Sequence, residues 1–108
     1  MTLAQTSRTH RQLGEALLAR LSPARCLMTG GDETPWSSIT FSGARHRFDI
    51  ELQDDSGWIA AKALAGRLPE AEFDLRNDIV ADIAVVSLTR QPDRMTRLAI
   101  EALTVMAA

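Results

Sequence analysis

The sequence is poor in the side chains that metal-binding and catalytic proteins usually concentrate. It has one cysteine, two histidines and no tyrosine in 108 residues. A single cysteine, Cys26, cannot form an internal disulfide, which favours a reducing compartment, and we expect the cytoplasm. Because thiols and imidazoles are so few, no group of His and Cys has the spacing of metal ligands. We therefore expect no metal and no other cofactor.

Long apolar runs are also missing. Asp82 and Glu101 interrupt the longest apolar stretches, which stay well short of the roughly 20 residues that a membrane-spanning helix needs. The polar N-terminal stretch contains no apolar run of the length found in secretory signal peptides. We therefore expect no membrane partner.

Neither sign of charge is in large excess, since the formal net charge is −2 at pH 7. Such a chain has no general attraction to nucleic acid or to anionic lipid. Aromatic residues make up only 5% of the sequence, so side chains that could stack on bases are scarce. The composition argues against nucleic acid as a partner.

What is present is the composition of an ordinary globular protein, with 45% hydrophobic and 24% charged residues. The length predicts a single domain over residues 1–108. A chain of this size buries enough apolar surface to fold without a metal or disulfide.

Two segments have the pattern of helices. The first covers residues 3–22 and ends before Pro23, because a proline disfavours the helical conformation of the residue before it. The second covers about residues 57–65, with a polar cap at 54–56 and Gly66 at its end. The apolar stripe of the first helix consists of leucines with two neighbouring residues, namely Leu13, Leu17, Leu21, His10 and Gly14.

Residues 36–52 have the alternation of a β-hairpin. A two-residue turn at Gly43-Ala44 places the large apolar side chains on one face, with Ile39 opposite Phe48 and Phe41 opposite His46. The other face of this hairpin is polar. The preceding residues 29–35 contain two glycines and a proline, and they are predicted to form a loop.

Residues 78–106 form the second predicted hairpin, with a loop at 91–94. Pairing of Arg90 with Met95 sets Ile83 opposite Ala102, and this hairpin is then apolar on both of its faces. One face can pack under the helices. The other carries a second apolar stripe, formed by Val80, Val86, Ala99, Leu103 and Val105.

These elements predict an α+β fold in the order helix-hairpin-helix-hairpin (αββαββ), with a mainly antiparallel four-stranded sheet and helices on one face. Monomers rarely expose an apolar stripe of the kind that the second hairpin carries. We therefore expect self-association as a homodimer through residues 79–106, either by packing of the outer face or by edge pairing.

Four residues are candidates for binding a small ligand: His46, Asp82, Glu101 and Trp58. The two carboxylates lie diagonally on one face of the second hairpin, and paired carboxylates in apolar surroundings can perform acid–base chemistry. An imidazole titrates near neutral pH, and an indole can line a pocket between helix and sheet. We favour the simpler interpretations, which are ion pairing with arginine for the acids, a half-buried imidazole bonded to the backbone, and packing of the indole.

Arginines cluster at the two predicted hairpin tips, with Arg45 and Arg47 at the first and Arg90, Arg94 and Arg97 at the second. If these tips converged on one surface, they could hold an anion or a nucleic-acid backbone. Exposed arginine at strand ends more often protects a sheet edge.

Three classes of function follow. A non-catalytic, homodimeric interaction or ligand-binding module leads, because the sequence shows no catalytic motif and we assign no catalytic residue. A small enzyme or ligand pocket using Asp82 and Glu101 is the alternative. Binding of an anion or nucleic acid through the arginine-bearing tips is third. The sequence leaves the question of catalysis open while favouring a non-enzyme.

Overall fold

A computed structural model describes residues 6–107, which form one four-stranded antiparallel sheet and two α-helices. The strand order is β1-β2-β4-β3, so β1 and β3 are the edges. The α+β class and the antiparallel sheet are confirmed. In chain order the elements are α1 (Arg8–Leu21), β1 (Cys26–Ser37), β2 (Ser42–Leu52), α2 (Asp54–Arg67), a 3₁₀ turn (Leu68–Glu70), β3 (Asp78–Arg90) and β4 (Thr96–Met106).

Helix α1 forms as its leucine spacing predicts, and its three stripe leucines are fully buried. The Ser7 hydroxyl caps the helix by accepting a hydrogen bond from the backbone N–H of His10 at 3.0 Å. Gly14 lies where a β-carbon would come within 3.2 Å of the Phe48 ring, so the glycine permits close approach of α1 to the sheet. Residues 3–5 of the predicted helix lie outside the described residues.

Helix α2 is longer than predicted, because it includes the polar residues 54–56 and continues through Gly66. The prediction that Gly66 ends the helix is wrong. Its buried residues are few, namely Gly57, Ala61 and Leu64, and Ile59 stays 66% exposed. The helix is therefore buried along one narrow side.

Strand β1 replaces the loop that was predicted for residues 29–35. The β1–β2 turn lies at residues 38–41, where the Ser38 hydroxyl accepts from the Phe41 N–H, so the predicted turn at Gly43-Ala44 is wrong. Ile39 is fully exposed in this turn and does not face Phe48. Glycines and a proline are tolerated because β1 is an edge strand that pairs only with β2 among the described strands, and a bulge lies between Met28 and Gly30.

The β3–β4 hairpin has the predicted register at its centre, with Ile83 opposite Ala102 and Asp82 opposite Leu103. Irregularities between Val80 and Asp82 and between Val85 and Ser87 shift both ends by one residue. Val80 therefore pairs with Thr104 and packs against the core, so its predicted place in the outer stripe is wrong. Arg90 pairs with Thr96 instead of Met95.

The two faces of the sheet differ in burial. The inner face packs against the buried residues of α1 and α2 in one core cluster. Its central side chains are His46, Phe48, Ile50 and Leu52 of β2, and Leu98, Ile100, Ala102 and Thr104 of β4. The outer face carries Arg45, Arg47, Asp49 and Glu51 of β2, and Arg97, Ala99, Glu101, Leu103 and Val105 of β4. Within the described residues, no helix is long and apolar enough to cross a membrane.

Candidate functional site

His46 lies on the inner face and is only 2% exposed. Its Nδ1 lies 2.9 Å from Nδ1 of His10 on α1, and its Nε2 lies 2.8 Å from the Thr104 hydroxyl on β4. The histidine is therefore almost fully buried and bonded to two side chains, whereas we favoured a half-buried imidazole bonded to the backbone. Its predicted neighbour Phe41 is instead more than half exposed in the β1–β2 turn.

The two histidines stack on a shared aromatic neighbour. The His10 ring lies over Phe48 with centroids 4.4 Å apart, and the His10 and His46 rings are 5.1 Å apart. Burial lowers the pKa of both imidazoles, and repulsion from His10 lowers that of His46 further. Both are therefore neutral at pH 7, and the pair forms part of the core.

Asp82 and Glu101 lie on the outer face, on the opposite side of the sheet from the His46 side chain. Glu101 forms an ion pair with Arg47, whose Nη1 lies 3.3 Å from Oε2, and Arg47 also contacts Asp49 at 3.2 Å. Both acids line an open depression of about 340 Å³, together with Asp32 and Arg45. The structure thus brings the two carboxylates to one surface, and His46 borders the same depression while its ring nitrogens contact His10 and Thr104.

Trp58 lies far from both groups, near the β3–β4 loop. It is partly buried in α2, where Lys62 and Arg90 each approach its ring at 5.7 Å from the centroid. Asp55 beside it forms ion pairs with Arg90 and with Arg94. The four candidate residues therefore occupy three separate places.

The two arginine clusters meet only in part, since Arg47 of the first and Arg97 of the second line one depression of about 450 Å³. Gly43 at the start of β2 pairs with Val105, whereas Leu52 at its end pairs with Thr96, beside the β3–β4 loop. The β1–β2 turn and the β3–β4 loop therefore lie at opposite ends of the sheet. Arg90 and Arg94 pair with Asp55, which leaves Arg47 and Arg97 as the two arginines that share one depression.

The outer face carries an apolar surface along the β3 edge, as expected from the double-sided pattern of the second hairpin. Ile79 is 60% exposed and Val86 is 49% exposed on β3. Leu103 and Val105 on β4 are partly exposed near Ile79, whereas Val86 lies farther along the edge, beyond the Ala84–Glu101 pair. We call Ile79, Val86, Leu103 and Val105 the β3 patch. Ile79 takes the place that the sequence reasoning gave to Val80, because the bulge turns Val80 inward.

The groups that could hold a cofactor are limited. Among residues 6–107, no cluster of three or more His, Cys, Asp or Glu side chains has the geometry to hold a metal ion. Cys26 is partly buried, and burial raises the pKa of its thiol. The cysteine is therefore protonated at neutral pH.

Sequence reasoning missed the contact between His10 and His46. Each histidine was placed correctly on an apolar face, one on the stripe of α1 and one in the alternation of β2. Because the turn was predicted at the wrong residues, His46 was paired with Phe41 and its position under α1 was not predicted. The available signal was that both histidines interrupt otherwise apolar positions of elements that must pack together.

One comparison with known proteins gives a structural likeness. No protein-family model matches the chain, and no curated protein matches it. The fold is similar to that of a chain in a solved structure described as the virion of a native gene transfer agent (GTA) particle. The TM-score is 0.55 at 19% sequence identity, over 82% of this chain and 72% of that chain. At this identity the likeness establishes a shared fold.

Proposed function

We propose that this chain is a non-catalytic structural subunit that associates with copies of itself and with other subunits of a virion-like particle. The likeness to a chain of the gene transfer agent virion supports the particle. The feature that carries the self-association is β3, a 13-residue edge strand with exposed apolar side chains.

The two edge strands differ in how well they are protected against pairing with another chain. An unpaired edge invites pairing with another chain, and proteins block it with proline, charge or irregular backbone. Strand β1 has all three, namely Pro35, the acidic pair Asp32 and Glu33, and a bulge before Gly30. Strand β3 has two bulges and Asp82 but no proline, and its exposed side chains include Ile79 and Val86. Edge pairing is therefore favoured at β3.

The β3 patch extends this edge onto the outer face. Buried residues of α1 and α2 belong to one core cluster with the inner face, which supports the assignment of the outer face to a partner. Burying an exposed side chain such as Ile79 in an interface contributes about 1.5–3 kcal/mol. Residues 79–106 supply both the free edge and the patch, and a two-fold homodimer is the simplest assembly that uses them.

A matched pair of substitutions tests this role. Ile79→Lys places a charge in the β3 patch, and Ile59→Lys places one on α2 at a position that is 66% exposed, against 60% for Ile79. Both variants should fold, because both side chains are mostly exposed. We expect the wild type to sediment at a multiple of 11.8 kDa at micromolar concentration. The Ile79 variant should associate about tenfold to hundredfold more weakly, and the Ile59 variant should match the wild type.

Two outcomes would contradict the proposal. One is a wild-type mass of 11.8 kDa over the whole concentration range. The other is equal weakening by the two substitutions, which would show that the β3 patch has no special part in association.

A ligand site in the outer depression is the second candidate. Its support is the volume of about 340 Å³ beside Asp82, Glu101 and Arg47. The double substitution Asp82→Asn and Glu101→Gln should abolish binding of a cationic ligand there without weakening self-association. Unchanged binding after both substitutions would exclude the site.

A further inference from the structure

The N-terminal turn of α1 is tied to all four strands through polar side chains. Ser7 donates from its N–H and hydroxyl to Glu33 of β1, and the Thr9 hydroxyl donates to Asp78 of β3. His10 contacts His46 of β2, which contacts Thr104 of β4. We call the last three residues the histidine bridge. It is the buried part of this set, since its members are at most 8% exposed.

The contact between Nδ1 of His10 and Nδ1 of His46 can hold only one proton, because one nitrogen must donate and the other must accept. The Thr104 hydroxyl donates to the backbone carbonyl of Ala44 at 3.4 Å, so it accepts from the Nε2–H of His46. Nδ1 of His46 is then the acceptor, and Nδ1–H of His10 is the donor across 2.9 Å. A further proton on His46 would point two N–H groups at each other. The contact cannot survive that protonation.

We infer that the histidine bridge is an acid-sensitive latch, which holds the first turn of α1 on the sheet at neutral pH and releases it on acidification. This goes beyond assembly, because it concerns a conformational change within one subunit. The released turn would uncover His46, Phe48 and the adjoining inner face.

The charged groups around the bridge set the pH range of release. Glu33 faces it from β1 and Asp78 from β3, and Asp32 acts through space from the other side of β1; all three favour protonation of the imidazoles. On β4 the facing group is the uncharged Thr104, and on α1 the nearby Arg8 and Arg11 are exposed. Burial outweighs the acids, so the pKa of each histidine is lowered in the folded state.

The direction in which pH changes the stability of the latch follows from proton linkage. The unfolded or released state has ordinary histidines, so below about pH 6.5 it binds more protons than the latched state. Stability of the latch is therefore fully present above that pH and is lost as the pH falls toward the lowered folded pKa values. Within that window, the released population should rise about tenfold per pH unit for each histidine.

Two measurements on the wild type test the latch. His10 and His46 are the only histidines, so imidazole ¹⁵N spectra report the bridge alone. At pH 7.5 we expect one Nδ1–H and one Nε2–H tautomer. Amide hydrogen exchange, corrected for its intrinsic pH dependence, should then speed up at least tenfold in the first turn of α1 between pH 7 and pH 5, with β4 unchanged.

The variant His10→Phe with His46→Leu removes both titrating groups and keeps an aromatic ring over Phe48. Its α1 exchange should lose the acid dependence. If it fails to fold, the wild-type titration decides alone. Retained acid dependence in the folded variant, equal acceleration of α1 and β4 in the wild type, or histidines that titrate with ordinary pKa values would each overturn the latch.

Discussion

The inner and outer faces of β2 and β4 differ in how far their side chains are buried and in what these side chains contact. On the inner face, His46, Phe48, Ile100 and Thr104 are each at most 2% exposed and contact the helices or one another. On the outer face, the neighbouring Arg47 and Glu101 are about half exposed and form an ion pair. The inner face forms the core, and the outer face is the one to which we assign the proposed partner. This difference can be tested one residue at a time.

The largest difference is expected between adjacent residues of β2. Phe48→Ala removes a fully buried ring that packs on Gly14 and His10, and it should lower the free energy of unfolding by about 3–5 kcal/mol. Arg47→Ala removes one exposed ion pair and should cost at most about 1 kcal/mol. Urea denaturation measures both. Similar losses for the two variants would show that the faces are not energetically distinct.

A smaller difference separates two threonines. Thr104→Val keeps the shape of the side chain but leaves Nε2 of the buried His46 without its partner, at a cost of about 1–3 kcal/mol. Thr34→Val changes an exposed residue on β1 and should shift stability by less than about 0.5 kcal/mol. Thermal and urea denaturation give both values. A stable Thr104→Val protein would mean that the hydroxyl does not support the histidine bridge.

The smallest effect compares two helical glycines. Gly66→Ala in α2 has open space around the new methyl group and should stabilise the protein by about 0.5–1 kcal/mol. Gly14→Ala gains the same helix propensity but brings a methyl group to 3.2 Å from Phe48, so we expect no net stabilisation. Denaturation midpoints distinguish the two. Equal stabilisation would show that the Phe48 ring moves at little cost to accommodate a methyl group at position 14.

Periodic apolar patterns were sufficient for the elements that bury a single face. The stripe of α1 and the central register of the β3–β4 hairpin could be predicted, because one-face burial allows a single alignment. The bulges near Ala81 and Val86 could not be predicted, since nothing in the apolar alternation marks an extra residue. They decide which valines face outward and therefore the composition of the β3 patch.

The middle of strand β1, residues 29–35, was missed for a different reason. Its residues are mostly polar and include glycine and proline, which local propensity assigns to loops. The strand is stabilised by its pairing with β2 along its whole length, which is a tertiary effect. The ligand candidates were likewise chosen by chemical type, and only the three-dimensional arrangement shows that His46 and the two acids lie on opposite faces.

Hydrogen exchange at two concentrations tests self-association through β3 most directly. The wild type is compared at a dilute concentration, where it is a monomer, and at a concentration where its mass has increased. We predict that amides of Asp78–Arg90 exchange more slowly in the concentrated sample, while those of Cys26–Ser37 do not change. Slower exchange in β1 with none in β3, or no change in either strand, would contradict the account.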